Sequence, residues 1–276
     1  MRGRDWIWAI SLISVAITAV PIVFILYYGF IVFHSAMGLS GTVFVSIAVT
    51  IVSSALAAFI IFLVFTPLAF ELSRKSHAVW EAVSDLPASI PHPIVGIAFL
   101  FIGSPLTPLG RFLTSIGFGL FNTLQGLVIA LSFVAMPIYL RSAQSVFASS
   151  PIEPENFAMT LGASRMRVLY SVLVPGASRE IISSSLTAMS RAMSEYGSVA
   201  IIANYVLTYP FNGAQTVSVE IYQSYGYLGP GVAVTSSALM ILFSLAIVIA
   251  IRFVGGREPG LQEQEKGISG EEALDD

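Results

Sequence analysis

A chain of 276 residues that is 55% hydrophobic and 11% charged, with a mean hydropathy of +0.83, is too apolar for a water-soluble domain, which carries about 25% charge; it reads as an integral membrane protein. The formal net charge of −3 divides unevenly, because Arg257 to Asp276 holds seven acids and two bases while the rest holds nine acids and eleven bases, so the acidity belongs to a tail. The absence of cysteine excludes disulfides, thiolate metal sites and thiol catalysis, and His34, His77 and His92 are too scattered for a ligand cluster.

Arg2 and Arg4 precede a charge-free run from Trp6 to Phe33. It far exceeds the roughly 7 to 15 residues of a signal-peptide core, so an uncleaved first span is expected, kinked at Pro21. A polar loop at His34 to Ser40 leads to a second charge-free run, Gly41 to Phe70, closed by Glu71, Arg74 and Lys75. His77 to Ser84 reads as a short polar connection. Asp85 to Phe101, DLPASIPHPIVGIAFLF, clusters Pro87, Pro91 and Pro93 ahead of an apolar run. Proline there disfavours helix, so a regular third span is expected from about Pro93 to Ile102, with its Pro-rich lead-in at membrane depth and shielded by protein. Gly103 to Gly119 is a loop with room for a short interfacial helix, and Leu120 to Leu140 a fourth span.

Ser150 to Pro175, SPIEPENFAMTLGASRMRVLYSVLVP, is the one sizeable polar island. Ser150 reads as a helix N-cap, Pro151 as the first helical residue and Glu153 as the acid of a capping box. Gly162 reads as a stop in the left-handed region. Met166, Leu169, Tyr170 and Leu173 then repeat at helical spacing up to Pro175. Beyond the island, Arg179 to Asn204 is a fifth span rich in Ser and Thr that carries Arg191 and Glu195 at i, i+4. Tyr205 to Pro230 is a loop or re-entrant segment, Gly231 to Ile251 a sixth span, and the segment beyond Gly256 reads as a disordered tail.

The chain is therefore expected to be all-α and polytopic, with six transmembrane helices in a permease domain over residues 1–256 and an acidic tail over 257–276. Six spans put the N-terminus, the loops after spans two and four and the C-terminus on one side, together with eleven of the thirteen bases. The positive-inside rule places that side, island included, in the cytoplasm. No internal repeat is visible, which argues against folds built from inverted repeats.

The island resembles the EAA loop of ABC importer permeases, which starts Glu-Ala-Ala, places a Gly six residues on from the Glu, and ends Ile-x-Leu-Pro after nine more. Gly162 is followed by nine residues and then Val172, Leu173, Val174 and Pro175, and TLGASR at Thr160 to Arg165 is close to the commonest form. The start departs: Asn156 holds the strict Glu position, Phe157 replaces the first Ala, Ala158 matches the second, and Glu155 lies one residue early. Within the family, DLPASIPHPIVGIAFLF and SRAMSEYG at Ser190 to Gly197 are similar to segments of the molybdate and tungstate permeases, much of which sulfate permeases share.

The resemblance implies a type I ABC importer permease in the plasma membrane that works as a homodimer in the bilayer. It implies import of an oxyanion delivered by an extracytoplasmic binding protein, driven by ATPase subunits that dock on the island through Glu155, Ala158, Gly162, Ala163, Arg165 and Pro175. Arg165 is expected to pair with acids of that ATPase or to meet lipid headgroups. No Walker sequence occurs, so the chain is expected to be no enzyme and to bind no cofactor, ATP and Mg being used by the partner. The tyrosines of Tyr205 to Tyr227 are expected to form an outer interfacial belt, on the face where the resemblance puts the binding protein. A C-terminal anion-sensing domain, which some relatives carry, is not expected.

Two readings stand for the charges within the fifth span. Arg191 and Glu195 neutralise each other as a structural pair, or with Ser190 and Ser194 they line the translocation path. The serines and threonines of that span either line the path as weak neutral donors or permit close helix packing. Rival functions are a sulfate or other-solute permease, an ATPase-independent secondary transporter or channel, and a membrane-embedded enzyme. Against the last, no His, Asp and Glu cluster at acid-base spacing is present.

Overall fold

The computed structural model describes residues 2–255, with side chains over 6–254. It is built from helices: α1 (Arg2–Tyr27), continued by a π-helical turn (Tyr28–Phe33), α2 (Gly41–Arg74), α3 (Ala78–Ser89), α4 (His92–Ile102), α5 (Pro108–Ser115), α6 (Leu124–Ser149), α7 (Glu153–Thr160), α8 (Arg165–Val168), a second π turn (Leu169–Leu173), α9 (Val174–Gly176), α10 (Ser178–Met193), α11 (Val199–Ile202), α12 (Val217–Tyr227) and α13 (Pro230–Gly255).

Among the described residues, four stretches are long and apolar enough to cross a bilayer: Trp6–Phe33, Gly41–Arg74, Leu124–Ser149 and Pro230–Val254. α3 and α4, bent by 105° at Ile90–Pro91, make a fifth if counted as one broken span. The expected fifth span, Arg179 to Asn204, is interrupted. α10 is 16 residues long and stops at Met193, and the chain turns through Ser194 to Gly197 before the single turn of α11. Its serines and threonines lower its apolarity, while their hydroxyls are satisfied locally: Ser184, Ser185 and Thr187 donate to the carbonyls of Glu180, Ile181 and Ser183.

The core is the seam of α2 and α6 with α10 laid against both. Ala57, Ile61 and Ala69 of α2 meet Leu131, Ala135, Tyr139 and Ala143 of α6, with Ile181 and Ala188 from α10. Small residues at these crossings bring the helix axes close, which suits association where lipid supplies no hydrophobic drive. Polar links inside the seam are mutual: Tyr139 Oη lies 2.6 Å from Thr66 Oγ1, and Ser142 Oγ 2.7 Å from Ser184 Oγ. α13 packs against α10, α12 and the π turn that ends α1. The rest of α1 points its Trp, Ile and Val side chains outward.

Several expectations are corrected. His77 to Ser84 is no connection, because the helix from Ala78 runs through Pro87 to Ser89 and breaks only before Pro91, the residue that pushes Ile90 to an extended conformation (φ −83, ψ 134). Its outer face, with Val79, Trp80 and Val83, is exposed, and Arg141 of α6 holds its acids: Nε donates to Asp85 Oδ1 at 3.0 Å and Nη1 lies 3.8 Å from Glu81 Oε2. The fourth span does not stop near Leu140 but continues to Ser149. Ser150 caps the end of α6 and not the start of the next helix: Pro151 keeps it extended (ψ 138), and its hydroxyl donates to Val146 O at 2.8 Å. α7 starts at Glu153 with no side-chain cap at Ile152. Pro175 does not end the second half of the island, since the wider π turn at Leu169–Leu173 carries the chain through it to a break at Ala177. Tyr205 to Pro230 contains the helix α12. The expected tail, 257–276, lies outside the described residues.

Candidate functional site: a glycine elbow and a buried carboxylate

The island folds as an elbow. Glu153 and Glu155 sit in the first turn of α7, where the helix dipole favours acids. The helix closes through Gly162 at φ +87: Ala163 N donates to Ala158 O at 3.1 Å and Gly162 N to Met159 O at 2.9 Å, the paired bonds of a Schellman cap. Ser164 then caps α8, its Oγ accepting from Arg167 N. The expectation that Gly162 takes a left-handed turn is met.

The elbow has two faces. Val168, Leu169 and Leu173 are buried, and Ala158 and Ala163 pack against the same core. Phe157 (69% exposed) and Leu161 (74% exposed) project outward with Ile152 and Met166, and Gly162 itself has open space around it. Large apolar side chains clustered on a polar loop mark a contact surface. Pro175 is exposed beyond the second π turn.

Two predicted coupling residues, Glu155 buried and Arg165 exposed, pair with the end of α2. Glu155 is 5% exposed, and its Oε2 accepts from Arg74 Nε at 2.9 Å; Arg74 Nη1 also donates to Phe147 O at 2.7 Å. Arg165 Nη1 lies 2.8 Å from Glu71 Oε2, so its structural partner is an acid of its own chain. Phe70 lies between the two guanidinium groups, 5.6 Å from that of Arg74 and 5.3 Å from that of Arg165.

The second cluster sits where α10 ends. Glu195 is 2% exposed, and every part of its carboxylate is engaged. Oε1 accepts from Ser198 N at 2.9 Å and Ser198 Oγ at 3.1 Å; Oε2 meets His92 Nδ1 at 2.8 Å and both terminal nitrogens of Arg191 at 3.3 Å. Arg191 Nη2 lies 2.9 Å from His92 Nε2. The same Arg191 nitrogen lies 3.2 Å from His92 Nδ1, so the guanidinium rests against the imidazole and not along one ring lone pair, while Nδ1 faces Glu195. Sequence reasoning paired Arg191 with Glu195 but missed His92. The signal was a carboxylate within the membrane region, which needs more than one flexible cation to satisfy it.

The structure brings Ser194 to this cluster, with Oγ donating to Arg191 O at 2.8 Å and accepting from Arg191 Nη1 at 3.3 Å. Ser190 stays one turn back on α10, half-buried. The ties fix α4 to α10 and α11, and Gly96 permits that approach: a Cβ there would lie 2.6 Å from Ser198 O. Beside the cluster, a cavity of about 570 Å³ is lined by Tyr196, Asn204, Tyr222, Gln223 and Tyr225, all uncharged.

The chain from residue 66 to 257 matches the sequence profile of the family described as binding-protein-dependent transport system inner membrane component. It is 31% identical over 194 residues to the molybdate/tungstate transport system permease protein WtpB of Pyrococcus furiosus, covering 69% of this chain and 70% of that one. It is 32% identical over 174 residues to a probable sulfate transport system permease protein, cysT, of Chlorokybus atmophyticus, covering 61% of this chain and 59% of that one. Among solved structures, an inward-facing conformation of the MetNI methionine ABC transporter matches with a TM-score of 0.51 and 20% identity, over 77% of this chain and 90% of that chain.

Proposed function

Because the chain belongs to the binding-protein-dependent inner membrane components, the permeases of ABC importers, we propose that it carries an oxyanion, molybdate or tungstate, inward through the plasma membrane. The Gly162 elbow carries this reading: a structured loop with an outward apolar face has no use in a permease that works alone. Separate ATPase subunits dock on Phe157, Leu161 and the open backbone at Gly162, and their closure is passed to the helices. ATP is consumed there and not in this chain, and an extracytoplasmic binding protein delivers the anion.

The working unit is a homodimer with six spans per chain, the fifth in chain order being the polar, interrupted α10–α11 segment, which a neighbouring copy shields from lipid. Its domain covers residues 1–256, both termini lie in the cytoplasm, and the acidic tail follows. Neutral hydroxyl and amide donors of the kind that line the cavity beside Tyr196 suit a dianion that must bind weakly enough to leave.

Molybdate and tungstate are put ahead of sulfate because WtpB relatives join an identity of 30–31% to coverage of 69–75% of this chain, whereas cysT relatives reach 32% over 61% of it or 28% over 92%. Competition among labelled tungstate, molybdate and sulfate for uptake by the assembled transporter tests the choice. Preferential uptake of sulfate would assign the chain to the sulfate branch.

A further inference from the structure

We propose that Glu71 and Arg74 connect the elbow to the membrane helices as a latch and a pivot, so that displacing the elbow moves α2 and α6. The inference rests on the reading of the elbow as the ATPase contact. Glu71 and Arg74 stand at i, i+3 on the last turn of α2, and so on one face. They grip the elbow on opposite sides of Gly162: Arg74 holds Glu155 of α7, and Glu71 holds Arg165 of α8.

The two grips differ in burial. The Arg74 and Glu155 side chains are 12% and 6% exposed, and Arg74 is further fixed by Phe147 O at the end of α6. Arg74 Nη2 is buried without a partner, so this guanidinium has given up water to stay where it is. Separating the pair would strand a charge away from water, so it persists through the cycle and joins α2, α6 and α7 at one point.

Arg165 and Glu71 are 46% and 26% exposed, within reach of water and counterions. Glu71 also has a substitute cation, since Lys75 Nζ lies 3.9 Å from its Oε1, and the His77 ring nitrogen lies at the same distance. When Arg165 leaves, the carboxylate is not stranded. The Phe70 ring beneath Arg165 gives the departing guanidinium a face to slide over. The elbow therefore hinges at Gly162: α7 stays fixed and the start of α8 at Arg165 swings, while Val168 at its far end stays buried in the core.

Because the chain has no cysteine, Glu71→Cys with Arg165→Cys introduces its only thiols. In the complete transporter in liposomes, this pair is joined by a thiol-reactive linker that reductant cleaves. Transport by the unlinked double-cysteine complex sets the baseline against which linking is read. After linking, the complex should remain assembled but lose at least tenfold in transport, and reductant should restore it; neither single cysteine variant should show that reversible loss. Undiminished transport by the linked complex would overturn the latch.

For the pivot, Arg74→Glu and Glu155→Arg alone should lose transport and the two together should regain a substantial part. A doubly exchanged complex that assembles yet is as inactive as either single variant would overturn it. Failure of any ATPase to co-purify with the wild-type chain would refute the underlying docking reading instead, whatever the linker does.

Discussion

His92 Nδ1 and Glu195 Oε2 lie 2.8 Å apart although they come from different helices, α4 and the segment that follows α10. The contact ties the Pro-rich lead-in of one apolar helix to the serine-rich helix through a carboxylate that is 2% exposed. With Ser198 and Arg191 completing its coordination, Glu195 has the surroundings of a structural anchor. Glu195→Gln should destabilise the protein by about 3 kcal/mol and His92→Ala by about 1–3 kcal/mol, because each leaves a buried polar group without its partner. Thermal unfolding in detergent measures both. Wild-type stability combined with altered anion selectivity would move Glu195 to the translocation path.

At Gly162 the penalty for a side chain is conformational. The site is open, with no atom within 4 Å of an added Cβ, but φ is +87. Gly162→Val should cost about 1–2 kcal/mol locally, leave the unfolding temperature of the membrane helices near wild type, and reduce ATPase association or uncouple it. Gly162→Asn, which adopts the left-handed region more readily, should retain coupling. Equal loss in both variants would mean that the glycine is needed for close approach of the partner and not for its φ.

Phe157 and Leu161 carry the outward face of the elbow. Phe157→Asp and Leu161→Asp should leave unfolding unchanged, since neither side chain is buried in the chain, while weakening ATPase binding by about 2 kcal/mol, roughly 30-fold. Titration of labelled ATPase against the detergent-solubilised permease reads the effect.

Gly96 tests the packing that places His92. A methyl there would meet Ser198 O at 2.6 Å and Ile201 Cβ at 2.9 Å, and the first of these is backbone that cannot swing aside. Gly96→Ala should cost about 1–3 kcal/mol by overpacking, and it should weaken the destabilisation caused by His92→Ala when the two are combined, because the shifted α4 no longer delivers the imidazole. A double-mutant cycle on unfolding measures that coupling.

Much of what depended on local pattern was legible in the sequence. Charge-free runs located α1, α2 and α13, and the glycine between two periodic stretches gave the elbow its turn. Ser150 was assigned to the wrong helix because a serine before proline satisfies a C-terminal carbonyl as readily as an N-terminal amide, and only the preceding helix's length decides between them. Pro87 also misled: it is buried on the inner side of α3, and the helix continues past it to Ser89. The partners of Glu155, Arg165 and Glu195 were beyond local reading, since Arg74, Glu71 and His92 reach them only through tertiary packing. Glu155 lies one residue early of the strict EAA position and was expected to meet the ATPase; the structure buries it against Arg74.

The central claim, that force enters through the elbow from a separate ATPase, is tested most directly in liposomes holding the chain with and without its ATPase, with binding protein and labelled oxyanion outside. The account predicts uptake only when ATPase and ATP are both present within, and its loss on Phe157→Asp. Uptake by the chain alone, driven by an ion gradient, would contradict it.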